Sequence, residues 1–305
     1  VIVGGGVCGL TVARLLTDAG LSPTVFDKAS RPGGRLASRR VADRIVNTGP
    51  QSLTFAKTSS LAAIQRYSGS ELVPDLERHD ASVTFRTSAA QLSLALADGI
   101  NYRMALVTHL QPQPSGKVAP ALWGNLSDLD ADAIVLTPPA PQVANLLAAS
   151  ELAIPSWVSS VVYEKRLVLI TETDAGMTAP ESDSPIFEYR RREDAAVGTE
   201  GVLASFASAS WSEANWTQDA VATESTMLRE LARLYPGSRA ASAQVKRWRY
   251  ANATNPAQAP TAGKLEGLPI WIAGDGYGGS TGTRFGVERS IMSAIDVAEG
   301  VLASV

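Results

Sequence analysis

Val1-Ile2-Val3-Gly4-Gly5-Gly6-Val7-Cys8-Gly9-Leu10 opens the chain with three apolar residues, breaks on glycines, and resumes with apolar residues at helical spacing through Leu10, Ala13, Leu16 and Ala19. The pattern predicts a strand, a tight turn and a helix. A second short strand, Pro23-Thr24-Val25-Phe26, ends in the acidic Asp27, eighteen residues past Gly9. Gly4, Gly6 and Gly9 stand at the positions of the G-x-G-x-x-G dinucleotide fingerprint, with strand, helix and acid where that fingerprint needs them. Gly4 permits the turn, Gly6 lets a pyrophosphate approach the backbone, and Gly9 lets the helix pack close to the strand. The first-turn N–H groups and the positive dipole end of the helix then face the phosphates, and Asp27 accepts from a ribose hydroxyl pair.

At 305 residues the chain is long enough for about two domains, and 45% hydrophobic residues can fill a sizeable core. A formal net charge of −3 gives no electrostatic case for nucleic acid or an anionic membrane as partner. The one cysteine, Cys8, excludes an intrachain disulfide framework and fits a reducing, cytoplasmic setting. No apolar run has the length of a membrane span and no signal segment precedes the first strand. The chain opens on that strand without Met, so further residues are expected upstream. Two histidines support neither a metal cluster nor a Cys/His nucleophile pair: His79, between Arg78 and Asp80, reads as a surface residue, and His109 as a structural one.

Directly after Asp27, the segment from Lys28 to Arg40 places Arg31, Arg35, Arg39 and Arg40 around the turn Gly33-Gly34. By itself it reads as a solvated basic loop, although one or two of its arginines can neutralise a diphosphate bidentately. In this position Arg31-Pro32-Gly33-Gly34-Arg35 resembles the second phosphate-binding motif of two-dinucleotide-binding flavoproteins, which implies FAD as cofactor with Lys28, Gly34 and Arg35 at its site. A third stretch, the buried strand Ile270-Trp271-Ile272-Ala273 followed by Gly274-Asp275, resembles the Ala-Gly-Asp signature of the same proteins and implies Asp275 near the ribityl chain or pyrophosphate.

Together these motifs resemble the renalases and their bacterial relatives within the flavin amine oxidase superfamily. Asn47-Thr48-Gly49-Pro50-Gln51-Ser52-Leu53-Thr54 is similar to a family segment at the flavin wall, matching at Gly49 and Gln51 and departing at Asn47, Pro50 and Ser52. Gln51 also reads as a surface glutamine after a turn. Val107 falls where related flavoproteins pass backbone groups to the adenine. Pro138-Pro139-Ala140-Pro141-Gln142 resembles the crossover leaving the flavin domain. Gly286-Val287-Glu288-Arg289 begins a helix to Leu302, whose N-terminus at Val287 the resemblance places at the flavin N1/O2 edge, with Arg289 in place of a small residue. Period-two alternation in Lys246-Arg247-Trp248-Arg249-Tyr250 puts Lys246, Trp248 and Tyr250 on one face; the segment resembles the strand renalases send to the substrate side, and also fits an edge strand with aromatic packing.

Between the motifs, Ser60 to Tyr67 reads as a weak helix, Ser88 caps a core helix to Asp98, Asn101 to Leu110 and Asp132 to Thr137 read as strands, and Val143 to Ala149 as a helix. Tyr163 to Thr171 and Val202 to Ser208 read as strands, with the charge run Arg190 to Asp194 a solvated hairpin edge. Val221 to Tyr235 reads as an amphipathic helix. The expected class is α/β: a Rossmann-like FAD-binding domain in three parts, 1–55, 85–150 and 265–305, a substrate-side segment 56–84, and an inserted α+β substrate domain 151–264. This connectivity resembles the two-domain p-hydroxybenzoate hydroxylase-like flavoproteins. The resemblance implies an oxidase that takes hydride at flavin N5 from dihydronicotinamide isomers of NAD(P) and returns it to dioxygen as hydrogen peroxide. Two alternatives stay open: a flavin amine oxidase or desaturase acting on another small molecule, and a non-catalytic dinucleotide-binding protein. Neither a side-chain catalyst nor an oligomeric state is assigned.

Overall fold

Ile2–Val3, Ile134–Leu136 and Ile270–Ala273 are short apolar runs, and four parallel pairings join them with Thr24–Asp27 and the largely exposed Asn101–Met104 into the body of a six-stranded sheet. Ala262–Lys264 adds an antiparallel edge to Ile270–Ala273. The computed structural model describes residues 1–41, 43–69, 71–74, 81–123, 125–126, 129–173, 183–188, 201–236, 239–257, 262–278 and 286–304. His79 and the run Arg190 to Asp194 lie outside the described residues.

The sheet belongs to a compact unit formed by residues 1–36, 52–162 and 253–305. Its strand order places Ile2–Val3 between Ile134–Leu136 and Thr24–Asp27, with Ile270–Ala273 beyond the first and Asn101–Met104 beyond the second. Helices Val7–Asp18 and Gly286–Leu302 bury Val12, Ala13, Leu16, Ala294, Val297 and Val301 in one cluster with Ile2, Val25 and Val135. Fully burying each such Val or Ile side chain stabilises the fold by about 1.5–3 kcal/mol. A second cluster joins helices Thr58–Ser68 and Ala89–Ala97 to the three-stranded sheet of Ser52–Phe55, Ala81–Phe85 and Leu72–Pro74 through Leu53, Phe55, Ile64, Leu72, Val83, Leu92 and Leu96. Residues of the 56–84 stretch, expected on the substrate side, thus pack in this unit, because their apolar side chains close on Leu10 and Ile291 of its two long helices.

The expected single strand Asn101 to Leu110 is two strands. It breaks at Ala105-Leu106, and Val107–Pro112 pairs instead with Val118–Leu122 in an antiparallel sheet. The helix expected from Val143 begins at Ala140, since Pro141 in its first turn has no N–H to lose. Ser88 caps Ala89–Ala97 as expected, its side chain accepting from Gln91 N–H.

The other unit comprises residues 37–51 and 163–252. The long strands Val162–Thr173 and Ala240–Asn255 flank each other in a sheet completed by Val202–Phe206. Helix Ala220–Leu234, capped by Asp219, buries Met227, Leu231 and Leu234 against Leu167, Leu169 and Leu203. The hairpin Ser38–Val41 and Arg44–Asn47 joins this unit, not the first, because Val41 and Val46 pack on Val168, Ile170 and Val202. The fold is a two-part α/β architecture with a Rossmann-like domain. Among the described residues no helix is long and apolar enough to cross a membrane.

Candidate dinucleotide site

The strand order reverses between Ile2–Val3 and Ile134–Leu136, and open α/β sheets bind ligands in the crevice beyond the strand ends at such a point. The glycine turn sits there. Gly4 has φ +107°, and a Cβ on it would come 2.5 Å from Thr137 Oγ1, which donates to the Val3 and Gly4 carbonyls at 3.0 and 3.1 Å. A Cβ on Gly9 would come 2.0 Å from the Gly4 carbonyl oxygen. Among the described residues, a Cβ on Gly6 would meet nothing within 4 Å. The helix that follows has no side-chain cap at Gly6 and no acidic residue in its first turn. An open face at Gly6 above uncapped helix N–H groups fits a diphosphate in size and charge.

The arginine-flanked turn folds back onto this loop. Gly33 N–H donates to the Gly5 carbonyl at 2.7 Å, Gly33 bridges Gly6 in parallel, and the exposed Gly34, at φ +56°, lies where a Cβ would be 3.2 Å from Gly6 Cα. Of the four arginines, Arg35 is the one that this turn brings to the third motif. Its Nη1 and Nη2 donate to the two Asp275 carboxylate oxygens at 2.7 and 2.6 Å. Arg31 is exposed, and Arg39 and Arg40 lie on the strand Ser38–Val41 of the other unit. Asp275 is buried at 3% exposure. Gly274 holds φ +146° and its N–H donates to Ser293 Oγ at 3.0 Å, fixing the turn on the terminal helix.

Arg289, which stands where the resemblance expects a small residue, is buried, and its Nε donates to the Asp275 carbonyl at 2.8 Å. Glu288, fully buried, accepts the Ala56 and Lys57 N–H groups at 3.0 and 2.7 Å and so ties the end of Ser52–Phe55 to the start of the terminal helix. Val287 packs its side chain on the cluster around Leu10 and Ile291, leaving its main chain as the part that can meet a ligand. The Cys8 thiol is pushed far up, by burial first and the Asp275 carboxylate second, with Arg35 opposing; a thiol held protonated there is packing, not a nucleophile.

Asp27 closes the far side. Its two carboxylate oxygens accept Gly5 N–H at 2.6 Å and Ala29 N–H at 2.7 Å, and each retains a lone pair for a ribose hydroxyl. Burial, and then the Asp27 charge, push up the hydroxyl of Tyr102, which donates to the Ala29 carbonyl at 2.8 Å. Lys28 is exposed, and Val107 begins its strand opposite Leu122, two residues past Ala105, whose N–H donates to the Asp27 carbonyl at 2.7 Å. Gly4, Gly6, Gly9, Asp27, Lys28, Gly34, Arg35, Val107, Gly274 and Asp275 thus gather at the carboxyl ends of one sheet. Thr137, Tyr102, Glu288 and Ser93 were not read as site residues. Thr137 had a signal, as the polar residue ending an apolar strand; Ser93, 2.6 Å from a Cβ on Gly33, had none.

The substrate-side candidates lie in the other unit. Gln51 Nε2 donates to the Asn47 and Gly49 carbonyls at 3.0 and 2.9 Å, bracing its own turn, while its Oε1 is buried without a hydrogen-bond partner among the described residues. Trp248 Nε1 donates to the Thr48 carbonyl at 2.7 Å, Lys246 covers its ring at 4.5 Å, and Tyr250 meets Tyr163 edge-on at 5.7 Å. Arg247, on the opposite face, donates to the Trp216 and Gln218 carbonyls at 2.5 and 3.0 Å, so the alternation holds. Gln51 and Trp248 converge on the turn 47–51, and Tyr250 stands one alternation further along the strand.

The turn, the acid and the two later motifs form a candidate dinucleotide site on a Rossmann-like domain. Residues 2–65 match the NAD(P)-binding Rossmann-like domain family. The chain is 44% identical over 55 residues to hydroxyneurosporene desaturase of Rubrivivax gelatinosus and 51% identical over 35 residues to the flavin-containing amine oxidase of Danio rerio. These matches cover 18% and 12% of the chain and span 10% and 7% of those relatives. Over nearly the whole length the fold is that of a protein assigned as a protoporphyrinogen oxidase from Exiguobacterium sp. 255-15, with TM-score 0.70, 14% identity, and 98% and 97% of the two chains covered. It is also similar to putrescine oxidase bound to putrescine, with TM-score 0.67, 13% identity, and 99% and 98% covered.

Proposed function

We propose that the chain is an FAD-dependent oxidoreductase of the flavin amine oxidase superfamily. The observation that carries this reading is the convergence of three separated motifs, Gly4 to Gly9, Gly33 to Arg35 and Gly274-Asp275, at one switch point through the Gly33–Gly5 and Arg35–Asp275 bonds. Bound FAD supplies a hydride acceptor at N5 and, on reoxidation by dioxygen, hydrogen peroxide. Gly6 and the helix N-terminus take the diphosphate, and Arg35 adds a cation that Asp275 orients. Asp27 takes the adenosine ribose. Main-chain N–H groups at Val287 would serve the flavin edge where negative charge accumulates on reduction. Hydride transfer needs no side-chain base, in keeping with the inert Cys8.

The donor we favour is a dihydronicotinamide isomer of NAD(P), as in renalases, with Trp248, Tyr250 and Gln51 at the substrate. The named relatives support a second reading, oxidation of an amine or desaturation of another small molecule. Purified protein should be yellow and release FAD on denaturation; colourless protein that FAD does not reconstitute would defeat the enzyme reading. Anaerobic mixing with 2- and 6-dihydro isomers should bleach the flavin, and bleaching by an amine alone selects the second reading. Asp27→Ala and Arg35→Ala should each lower FAD occupancy, and full occupancy in both would refute their roles.

A further inference from the structure

Val162–Thr173 and Ala240–Asn255 run antiparallel, since Asn252 Nδ2 donates to Glu164 Oε1 at 2.6 Å near one end and Ser242 Oγ donates to Glu172 Oε2 at 3.3 Å near the other. Side chains two residues apart on a strand share a sheet face. Trp248 packs on Val168 and Ile170, so the face that carries Lys246, Trp248, Tyr250 and Asn252 also carries Glu164 and Arg166. The Asn252–Glu164 bond and the packing of Trp248 on Val168 are both met with Tyr250 beside Arg166, which makes Glu164 the diagonal neighbour of Tyr250, about 7–8 Å away. Arg166 is buried at 9% exposure. Its Nε donates to Glu164 Oε1 at 3.1 Å, and its Nη1 donates to Glu188 Oε2 and, at 2.9 Å, to the Ala207 carbonyl.

Both bonds to Glu164 fall on one oxygen. Donors from two strands thus fix the carboxylate, while Oε2 keeps its lone pairs for a ligand. The Glu164 side chain is 15% exposed, and an acceptor braced in this way and withdrawn from water holds a donor more strongly than one in bulk solvent. Pairing alone does not account for it, because Glu188 already sits on the same guanidinium. We infer that Glu164 is a specificity residue that accepts an N–H group of the substrate held at Trp248 and Tyr250, with Arg166 and Asn252 as its positioning residues. That N–H group is the carboxamide of a dihydronicotinamide or the ammonium of an amine, and a substrate presenting a carboxylate at this point is repelled. The inference rests on the oxidoreductase reading and adds the residue that both of its substrate classes require.

The test titrates the flavin-loaded protein calorimetrically with NAD+, with its nicotinic acid analogue and with 1,4-diaminobutane, in the wild type, Glu164→Gln, Asn252→Ala and Glu172→Gln. The wild type should bind NAD+ or the diamine at least about tenfold more tightly than the carboxylate analogue. Glu164→Gln should weaken that N–H ligand about tenfold and tighten the carboxylate analogue, and Asn252→Ala should weaken the N–H ligand about threefold. Glu172→Gln, the same charge change at the far end of the strand, should alter no affinity. Wild-type affinities in Glu164→Gln, with only urea unfolding shifted, make Glu164 a structural partner of Arg166 and overturn the inference. An equal loss in Glu172→Gln overturns it too, by assigning the effect to net charge, as does a wild type that takes the carboxylate analogue as tightly as NAD+. If no dihydronicotinamide isomer bleaches the wild-type flavin, the renalase-like reading falls by itself, and the diamine affinities of the same variants decide the role of Glu164.

Discussion

The unit built on the six-stranded sheet and the unit built on Val162–Thr173 hold their candidate residues in different ways. In the first, candidates are fixed by main chain and buried contact. Gly9 has a carbonyl oxygen where a side chain would go, Asp275 is gripped at both oxygens, and Glu288 is fully buried. In the second, Gln51, Trp248 and Tyr250 are half-buried side chains on a turn and a strand, held through side-chain hydrogen bonds and ring contacts. A cofactor used unchanged needs an inflexible cradle, and glycine and backbone N–H groups provide one. A substrate is met by side chains, which can be exchanged without disturbing the fold.

The largest effect should come from Glu288→Ala, which strands two main-chain donors at Ala56 and Lys57. At about 1–3 kcal/mol for each buried donor left unsatisfied, urea unfolding should show a loss of about 4 kcal/mol, with Glu288→Gln losing roughly half. A loss below about 1 kcal/mol would mean that water replaces the carboxylate and that this unit is less rigid than its contacts imply. Next come the two glycines of one motif. Gly9→Ala sets a methyl against a backbone oxygen and should cost about 3 kcal/mol in apoprotein stability, whereas Gly6→Ala should stay within about 0.5 kcal/mol yet lose FAD. Equal destabilisation by the two would erase the distinction between a glycine required by packing and one required by a ligand.

This division also explains what was legible in the sequence. Glycine spacing, an acid at a strand end and an apolar strand before Gly274-Asp275 are local patterns, and they point to most of the residues that the structure brings together at the sheet ends. The bonds that assemble it are not local: Arg35 meets Asp275 across 240 residues, and Glu288 meets Lys57 across 231. The hairpin Ser38–Val41 and Arg44–Asn47 is not legible as one element, because just two of its described side chains, Val41 and Val46, are buried, and its start falls in the arginine-rich segment Lys28 to Arg40. The break at Ala105-Leu106 was hidden because the flanking residues suit a strand on both sides; the change of sheet is decided by partners, which periodicity does not reveal.

The second unit should respond more weakly in stability and more strongly in turnover. Trp248→Phe removes the bond to the Thr48 carbonyl and keeps most of the ring area, so a loss of about 1 kcal/mol is expected. FAD content should be unchanged and the KM for the donor altered. Unchanged KM and kcat would leave Trp248 as edge-strand packing, and loss of FAD would make it part of the cradle.

The smallest effect is a pH dependence in the same unit. Glu230 accepts Arg233 Nε and Nη2 at 2.9 and 2.8 Å and Ser184 Oγ at 2.7 Å. The Arg233 guanidinium, aided by Ser184 and opposed by burial, holds its carboxyl below the ordinary glutamate value of 4.5. A carboxyl lowered by folding contributes stability that is complete above that value and is lost as pH falls through the folded one. The wild type should therefore be more stable than Glu230→Gln at neutral pH, and the gap should narrow on acidification below pH 4.5. Chemical unfolding at a series of pH values measures that gap. A constant gap would show that Gln keeps the geometry and that charge contributes nothing. A gap that widens in acid would reverse the sign, placing the burial of Glu230 above its pairing with Arg233, so that this unit would hold one ionised group at a net cost.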